Sequence, residues 1–143
     1  MLTQGIPVGG LNLVGQIVGT NTLRFYPDQN GLAVAVALAS THTAGAPVLD
    51  ETGRYLGFIN EFDAMRACDA SRNIESLTAT SIMRKDRIVV TPSTTLVDAA
   101  KMMEEHHVVN LPVEVDGVVA YSVSRHDLLR AWIGLGVGMG VDA

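Results

Sequence analysis

The chain has 143 residues, of which 48% are hydrophobic and 17% charged, and its formal net charge is −5. This composition predicts a globular protein, either one ordinary domain or two very small ones, and argues against intrinsic disorder. The negative charge gives no long-range attraction for nucleic acid or an anionic membrane surface, so we expect neither as a partner. Because Cys68 is the only cysteine, an intramolecular disulfide is excluded.

The first residues of the chain predict a cytoplasmic location. Residues 1–5 lack the basic start and apolar core of a secretory signal. The longest apolar stretch, residues 32–39, is far shorter than the roughly 20 residues that a membrane-spanning helix needs. Nothing in the cysteine usage indicates an oxidising compartment.

The sequence contains an internal repeat. Residues 63–67 read DAMRA and residues 127–131 read DLLRA, an offset of 64 residues. The same offset pairs Leu32 with Leu96 and Gly53 with Gly117, whereas the prolines require a slip of one residue. A repeat at this spacing predicts two copies of one supersecondary unit.

Each copy presents its predicted elements in the same order. A β-like run comes first, at residues 23–26 and 87–91, and a proline follows each run. Apolar residues at helical spacing then predict a helix in each copy. Their positions are 32, 35, 36 and 39 in the first copy and 96, 99, 100 and 103 in the second. The first helix is apolar nearly all round, so we expect it to be buried on more than one side, including against another subunit.

A hairpin and a second helix complete each copy. The hairpin turns are predicted at residues 50–53 and at Asp116-Gly117, the latter a strong hairpin dipeptide. The second helices are predicted to begin near Asp63 and Asp127. Each copy therefore has the pattern β-α-β-β-α, and the fold class is α+β.

This pattern resembles a pair of CBS domains, the module named after cystathionine β-synthase. The motifs that carry the resemblance are GAPVLDETGRYLGFINEFDAMRA at residues 45–67 and TSIMRKDRIVVTPSTTLVDAAKMMEEHHVVNLPVEVDGVVAYSVSRHDLLRA at residues 80–131. We assign residues 13–70 and 78–133 to the two domains and residues 1–12 and 134–143 to terminal extensions. The resemblance implies two tandem units that pack as a pseudo-twofold pair with two clefts.

The resemblance also implies a function. Many such modules bind adenosine-containing ligands such as AMP, ADP, ATP, S-adenosylmethionine, NAD(H) or adenine cyclic dinucleotides, and they generally sense rather than catalyse. We therefore expect a regulatory module that requires no cofactor, is not an enzyme, binds its ligand with or without Mg²⁺, and forms a homodimer. An unidentified partner protein would respond to ligand occupancy.

The family pattern assigns the ligand contacts to two clefts. In each, an aspartate at the start of a helix accepts hydrogen bonds from the ribose hydroxyls, which suits a carboxylate because it has only acceptors. One predicted cleft comprises Asp127, Ser124, His126, Arg125, Thr20, Thr43, Ala44 and Gly45. The other comprises Asp63, Asn60, Thr80, Lys85, Val108, Val109 and Asn110. Two residues depart from the family pattern: Asn60 replaces a hydroxyl residue, and Tyr121 replaces a glycine.

The same residues allow plainer interpretations. Ser124 and Asp127 also form a helix capping box, and Asn60 with Asp63 a variant of it. The alternative function is therefore a ligand-free dimerisation or scaffold module. We expect no metal site, because the adjacent residues His106 and His107 would point about 100° apart on a helix. We expect no catalytic triad either, because its candidate residues lie within positions 124–127.

Overall fold

The structure is a computed structural model that describes residues 11–19, 21–70 and 73–135. It contains five helices and four strands among these residues, with two short 3-10 turns at Val14–Gln16 and Ile74–Ser76. The strands and helices follow in chain order as α1 (Gly31–Ser40), β1 (Gly45–Leu49), β2 (Tyr55–Asn60), α2 (Glu61–Ala70), α3 (Ala79–Ile82), α4 (Leu96–His106), β3 (Asn110–Val115), β4 (Val118–Ser124) and α5 (Arg125–Ile133). The α+β class and the repeated order of elements are confirmed.

Two antiparallel hairpins form the sheets of the fold, β1 with β2 and β3 with β4. In the first turn, the Asp50 carboxylate accepts hydrogen bonds from the Thr52 hydroxyl at 2.7 Å and from the Arg54 backbone N–H at 2.9 Å. These bonds, that of the Thr52 hydroxyl foremost, lower the pKa of Asp50. In the second turn, Asp116 and Gly117 both have positive φ angles, 53° and 82°, as a type I′ turn requires.

The predicted opening strands are each reduced to a single parallel bridge. Phe25 pairs with Val48, and Val90 pairs with Val113. In the first case the Phe25 N–H donates to the Pro47 carbonyl at 2.9 Å, and the Val90 N–H does the same to Pro112 at 3.0 Å. A proline follows each run and cannot donate to a ladder, so we attribute the short pairing to its missing N–H.

The first helix buries a different stripe from the one that its spacing predicts. The buried residues of α1 are Gly31, Val34 and Leu38, while Leu32 and Val36 are exposed. The helix begins where the Asn30 side chain accepts a hydrogen bond from the Ala33 N–H at 2.8 Å. Because nearly every residue of α1 is apolar, several stripes satisfy helical spacing, and the sequence alone could not select one.

The second long helix buries the predicted stripe. Leu96, Ala99 and Met103 of α4 are buried, and the Thr95 hydroxyl caps the helix by accepting from the Asp98 N–H at 3.1 Å. Charged residues occupy much of the remaining surface of α4, so only one stripe can be apolar.

The chain folds into two compact units that do not coincide with the two sequence copies. Among the described residues, unit 1 contains the chain up to residue 22, residues 89–116 and the chain from residue 120 onward. Unit 2 contains residues 23–88 and 117–119. Each unit therefore combines the hairpin of one copy with a segment from the beginning of the other copy. We call residues 13–19 with 21–22, and residues 79–86, the opening segments; they are distinct from the opening strands.

Backbone bridges attach the opening segments to the hairpins. In unit 2, Phe58 and Arg84 exchange two hydrogen bonds of 2.9 Å, which place residues 79–86 beside β2. In unit 1, the Ser122 N–H donates to the Asn21 carbonyl at 2.8 Å, which places the first opening segment beside β4. The arrangement repeats at offsets of 63 and 64 residues, so both units are built on one plan.

The core of unit 2 lies between the hairpin and the helices of that unit. Its buried residues are Phe25, Val34, Leu38, Ala46, Val48, Ile59, Ala64 and Ala79. Burial of apolar side chains of this size is the main stabilising contribution to such a small fold. Within the described part of the chain, none of the helices has both the length and the hydropathy to cross a membrane.

Tyr55 carries a testable pH dependence within unit 2. Its hydroxyl donates to the Asp86 carbonyl at 2.9 Å, and burial raises the pKa of Tyr55 from 10.0 to about 12. Because the folded state favours the neutral phenol, this contribution to stability is present below pH 10 and lost as the pH rises towards 12. We expect the free energy of unfolding to fall over this range in urea titrations, and to fall less in Tyr55→Phe.

The exposed tyrosine Tyr26 provides the control for this measurement. Its side chain is 52% exposed, so Tyr26→Phe should leave the pH dependence as it is in the unsubstituted protein. If the free energy of unfolding fell equally in Tyr55→Phe and in the unsubstituted protein, this pH dependence could not be assigned to Tyr55.

Candidate functional site

The helices that follow the two hairpins begin with the same reciprocal pair of hydrogen bonds. Asn60 Oδ1 accepts from the Asp63 N–H and Asp63 Oδ2 accepts from the Asn60 N–H, both at 2.8 Å. Ser124 Oγ accepts from the Asp127 N–H at 3.1 Å, and Asp127 Oδ2 accepts from the Ser124 N–H at 2.9 Å. The capping interpretation is therefore confirmed, and the Asn60 amide oxygen takes the part of the hydroxyl.

The second oxygen of each carboxylate distinguishes the two sites. Asp63 is 8% exposed, and its Oδ1 accepts a hydrogen bond from Arg66 Nη2 at 2.5 Å. The equivalent arginine, Arg130, instead donates to the Leu135 carbonyl at 2.7 Å. Among the described residues, Asp127 Oδ1 has no hydrogen-bond donor. Asp127 therefore presents a vacant acceptor at the start of α5, whereas Asp63 is already engaged.

Backbone bonds tie each helix start to the residue before the first hairpin strand. The Glu61 N–H donates to the Ala44 carbonyl at 2.9 Å, and the Arg125 N–H donates to the Val109 carbonyl at 2.8 Å. These two pairs are equivalent in the repeat. They bring the predicted adenine-contacting residues of each unit next to the capping box of the same unit.

The predicted site residues differ in exposure. Arg125, His126, Thr80 and Lys85 are exposed; Asn60, Ala44, Val109, Ser124 and Asp127 are half-buried; Thr43, Gly45, Asp63, Val108 and Asn110 are buried; Thr20 lies outside the described residues. Unit 2 contains residues 43–45 together with Asn60 and Asp63, and unit 1 contains residues 108–110 together with residues 124–127. The predicted combination of Asp127 with residues 43–45, and of Asp63 with residues 108–110, joins the two units and stays a prediction.

A close approach between hairpin and opening segment is preserved in both units. In unit 2 a β-carbon on Gly57 would lie 2.5 Å from Met83 Sδ and 2.6 Å from the Arg84 carbonyl oxygen. In unit 1 the equivalent strand residue is Tyr121, and its ring lies against Gly19, where a β-carbon would overlap the ring. The glycine of this contact thus lies on the strand in unit 2, as Gly57, and on the opening segment in unit 1, as Gly19. This difference explains how the strand of unit 1 accommodates Tyr121 where the family has glycine.

Two buried polar side chains in unit 1 were incompletely predicted. Asn110 was expected among the adenine contacts, but Ser122 was not expected at any site. They are 4% and 3% exposed, and neither side chain has a hydrogen bond to a described residue. The signal that could have drawn attention to Ser122 is its place in the sequence: the equivalent residue in the first copy is Phe58, a large apolar residue.

Each unit also has an apolar groove between its two long helices. The groove between α4 and α5 has a volume of about 780 Å³, and Met103, Leu128 and Trp132 contribute to its lining. The groove between α1 and α2 has a volume of about 300 Å³, and Leu38, Phe62 and Met65 contribute to its lining. Besides the groove, the face of α1 and α2 exposes several large apolar side chains: Phe62 by 67%, Met65 by 61%, Val36 by 54% and Leu32 by 42%.

Comparisons with known proteins identify the family. The family model of the CBS domain matches residues 14–70 and 79–134. A CBS-domain containing protein from Agrobacterium tumefaciens is 21% identical with a TM-score of 0.73, over 87% of this chain and 96% of that one. The CBS domain pair of protein MJ0100, in complex with 5-methylthioadenosine and S-adenosyl-L-methionine, is 23% identical with a TM-score of 0.71, over 82% and 93%.

A third similar structure is that of CBSX2 in complex with AMP. It is 23% identical with a TM-score of 0.70, over 83% of this chain and 94% of that one. No curated protein sequence is significantly similar to this chain. Because the family model matches most of the chain in two copies, the chain belongs to the CBS-domain family and is a CBS-domain pair.

Proposed function

We propose that this chain is a regulatory module that binds an adenosine-containing ligand and transmits its occupancy to a partner protein. The observation that carries the proposal is the Asp127 carboxylate, which has a vacant Oδ1 at the start of α5. A vicinal diol needs two acceptors close together, and a carboxylate supplies them. The complexes of MJ0100 with S-adenosyl-L-methionine and of CBSX2 with AMP support the ligand class.

The surroundings of Asp127 suit an anionic nucleotide better than those of Asp63. Arg125 and His126 are exposed beside Asp127, and their side chains can offer donors to a phosphate. The positive end of the helix dipole also favours an anion there. The equivalent positions in the first copy are Glu61 and Phe62, whose side chains offer no cationic donor to a phosphate. A ligand at Asp63 would also have to compete with Arg66 for Oδ1. We therefore place the stronger site at Asp127.

Transmission to a partner imposes an energetic condition. A ligand shifts an equilibrium between two states of the protein only by the difference between its affinities for them. The module thus acts as a sensor rather than as an enzyme, since binding alone supplies the free energy of the signal.

The test is a thermal-shift panel with AMP, ADP, ATP, S-adenosylmethionine and NADH, with and without Mg²⁺. A ligand at about 100 times its dissociation constant should add ~2.7 kcal/mol to the free energy of unfolding. We expect one ligand to raise the melting temperature, and we expect Asp127→Ala to remove most of that increase. Asp63→Ala should remove less of it, because Arg66 already engages that carboxylate.

The alternative function is a ligand-free dimerisation or scaffold module, which the hydrogen bonds of both capping boxes favour. Under this alternative, each alanine substitution costs only the stability of a helix cap, about 0.5–2 kcal/mol. A well-folded protein whose melting temperature responds to none of the ligands would favour the scaffold over the sensor.

We also propose that the module is a homodimer that uses the face of α1 and α2. The exposed apolar side chains of Val36, Phe62 and Met65 form this face, and the Gly31–Ser40 helix has no charged residue. Large contiguous apolar patches on a soluble protein mark interaction sites. A second copy of the chain offers an equally apolar surface, so both faces would be removed from water together.

A further inference from the structure

The groove between α4 and α5 differs from the groove between α1 and α2 in volume and in charge. Its volume is about 780 Å³, against about 300 Å³ for the other groove. Among the described residues that line them, the smaller groove has one charged side chain, Glu61, whereas the larger has both Glu104 and Arg125. Arg125 occupies the position equivalent to Glu61 in the repeat, so the charge of this position is reversed between the two grooves.

The polar side chains lie at one end of the larger groove. The Arg125 N–H donates to the Val109 carbonyl at 2.8 Å, and Val109 follows closely on the last residue of α4. The end of α4, with Glu104 and His107, therefore meets the start of α5 here. The helix dipoles favour a cation at the end of α4 and an anion at the start of α5. This end of the groove thus suits a ligand that carries a positive and a negative charge close together.

Both opposite charges are available to such a ligand. The side chains of Glu104 and Arg125 are exposed, and among the described residues neither forms an ion pair or a side-chain hydrogen bond. A guanidinium presents a planar set of donors that matches a carboxylate, and a glutamate has only acceptors, which suit an ammonium group. The pair therefore matches the two charged groups of an amino acid.

The rest of the groove suits an apolar group. Met103 and Leu128 line it and are buried, Trp132 is half-buried, and Leu129 is 59% exposed. An apolar ligand group placed against these side chains would be removed from water together with the surface that it covers. A mostly apolar cavity of this volume with a few polar groups is typical of small-molecule sites.

We propose that the groove between α4 and α5 binds an α-amino acid with a large apolar side chain. The carboxylate of the ligand pairs with Arg125 and its ammonium group with Glu104. The apolar side chain packs against Leu128 and Trp132. Asp127 does not line the groove, so this site goes beyond the proposed adenosine site, with which it shares Arg125.

The fluorescence of Trp132 tests the proposal, because this residue is the only tryptophan of the chain. We expect L-phenylalanine and L-leucine to shift its emission to shorter wavelength, since either ligand would displace water from the indole. The dissociation constant should be on the order of 1 mM, as ligands of this size allow. L-Alanine carries the same charged groups without the large side chain, and it should bind at least about tenfold more weakly. No shift at roughly 10 mM L-phenylalanine would overturn the inference.

Ligands that carry one charge separate the two ionic contacts. Phenethylamine lacks the carboxylate of phenylalanine and 3-phenylpropanoate lacks the ammonium group, so each should bind about fivefold more weakly than L-phenylalanine. Arg125→Gln should weaken the binding of L-phenylalanine and 3-phenylpropanoate by a similar factor and leave that of phenethylamine unchanged. Glu104→Gln should weaken the binding of L-phenylalanine and phenethylamine and leave that of 3-phenylpropanoate unchanged.

Lys101→Gln and Glu105→Gln are the matched controls. Both residues are exposed on α4 and neither lines the groove, so the same changes of charge should leave the affinity for L-phenylalanine as it is. An equal loss of affinity in these controls would overturn the inference, because the effect would then come from the overall charge. So would an Arg125→Gln protein that loses affinity for phenethylamine as much as for L-phenylalanine.

A second copy of the chain is the other candidate occupant of this groove. If it were seated there, the Trp132 emission would shift when the protein alone is diluted, and L-phenylalanine would cause no shift. That result would overturn the inference. The panel of adenosine ligands is measured separately, so the proposed function and this inference can fail independently.

Discussion

Replacing Gly57 with alanine is expected to lower the free energy of unfolding by about 3 kcal/mol, at the upper end of the usual cost of overpacking. The new β-carbon would lie 2.6 Å from the Arg84 carbonyl oxygen, which is backbone and cannot rotate away. Relief requires the opening segment to move, and that movement would stretch the two bonds between Phe58 and Arg84. Urea denaturation followed by circular dichroism measures the loss.

The equivalent contact in unit 1 provides the comparison. Gly19→Ala should also destabilise the protein, but there the obstacle is the Tyr121 side chain. Combining Gly19→Ala with Tyr121→Ala should therefore recover part of the loss, as a positive coupling in a double-mutant cycle. A Gly57→Ala variant as stable as the unsubstituted protein would show that the opening segment is not in close steric contact with β2.

Introducing glutamate at Phe62 is expected to convert a dimer into a monomer. In the proposed dimer this side chain is buried against the second copy, and burying an unpaired carboxylate there would cost several kcal/mol. The exposure of Phe62 in the single chain, 67%, means that the monomer itself should tolerate the change. Size-exclusion chromatography with light scattering gives the mass, and the melting temperature at low concentration reports the fold.

Val115→Glu is the matched control for the dimer. Val115 is an exposed apolar residue on β3 and does not belong to the face of α1 and α2, so its substitution should leave the mass at two chains. A Phe62→Glu protein that keeps the mass of two chains would refute this interface. An unsubstituted protein with the mass of one chain would refute the homodimer itself.

Most of the architecture followed from local patterns in the sequence. The Asp116-Gly117 turn, the capping residues Thr95 and Ser124, and the buried stripe of α4 each depend on short-range chemistry that a sequence displays. The buried stripe of α1 could not be predicted, because an almost wholly apolar helix lacks polar residues to mark its exposed side. The length of the opening strands depended on pairing with residues more than 20 positions away, which local propensity does not encode.

The sequence predicted the residue types of the candidate site but not the hydrogen-bond partners of their side chains. The repeat and the family pattern identified Asp63 and Asp127 as equivalent carboxylates. They gave no sign that Arg66 would engage one aspartate while Arg130 turned to the Leu135 carbonyl, since both arginines occupy the same position in the motif. The partner of such a side chain depends on the course of the backbone beyond the end of its helix. The missing partners of Asn110 and Ser122 likewise became visible only when burial was known.

The exchange of opening segments means that the duplicated stretch of sequence does not coincide with the compact unit of the structure. Residues 79–86 pair with the first hairpin, and residues 13–19 with 21–22 belong to the unit of the second hairpin. A cut between the two copies would therefore separate each hairpin from the opening segment of its own unit. A chain with a single copy could complete the same arrangement only by exchanging its opening segment with a second chain, as in domain swapping.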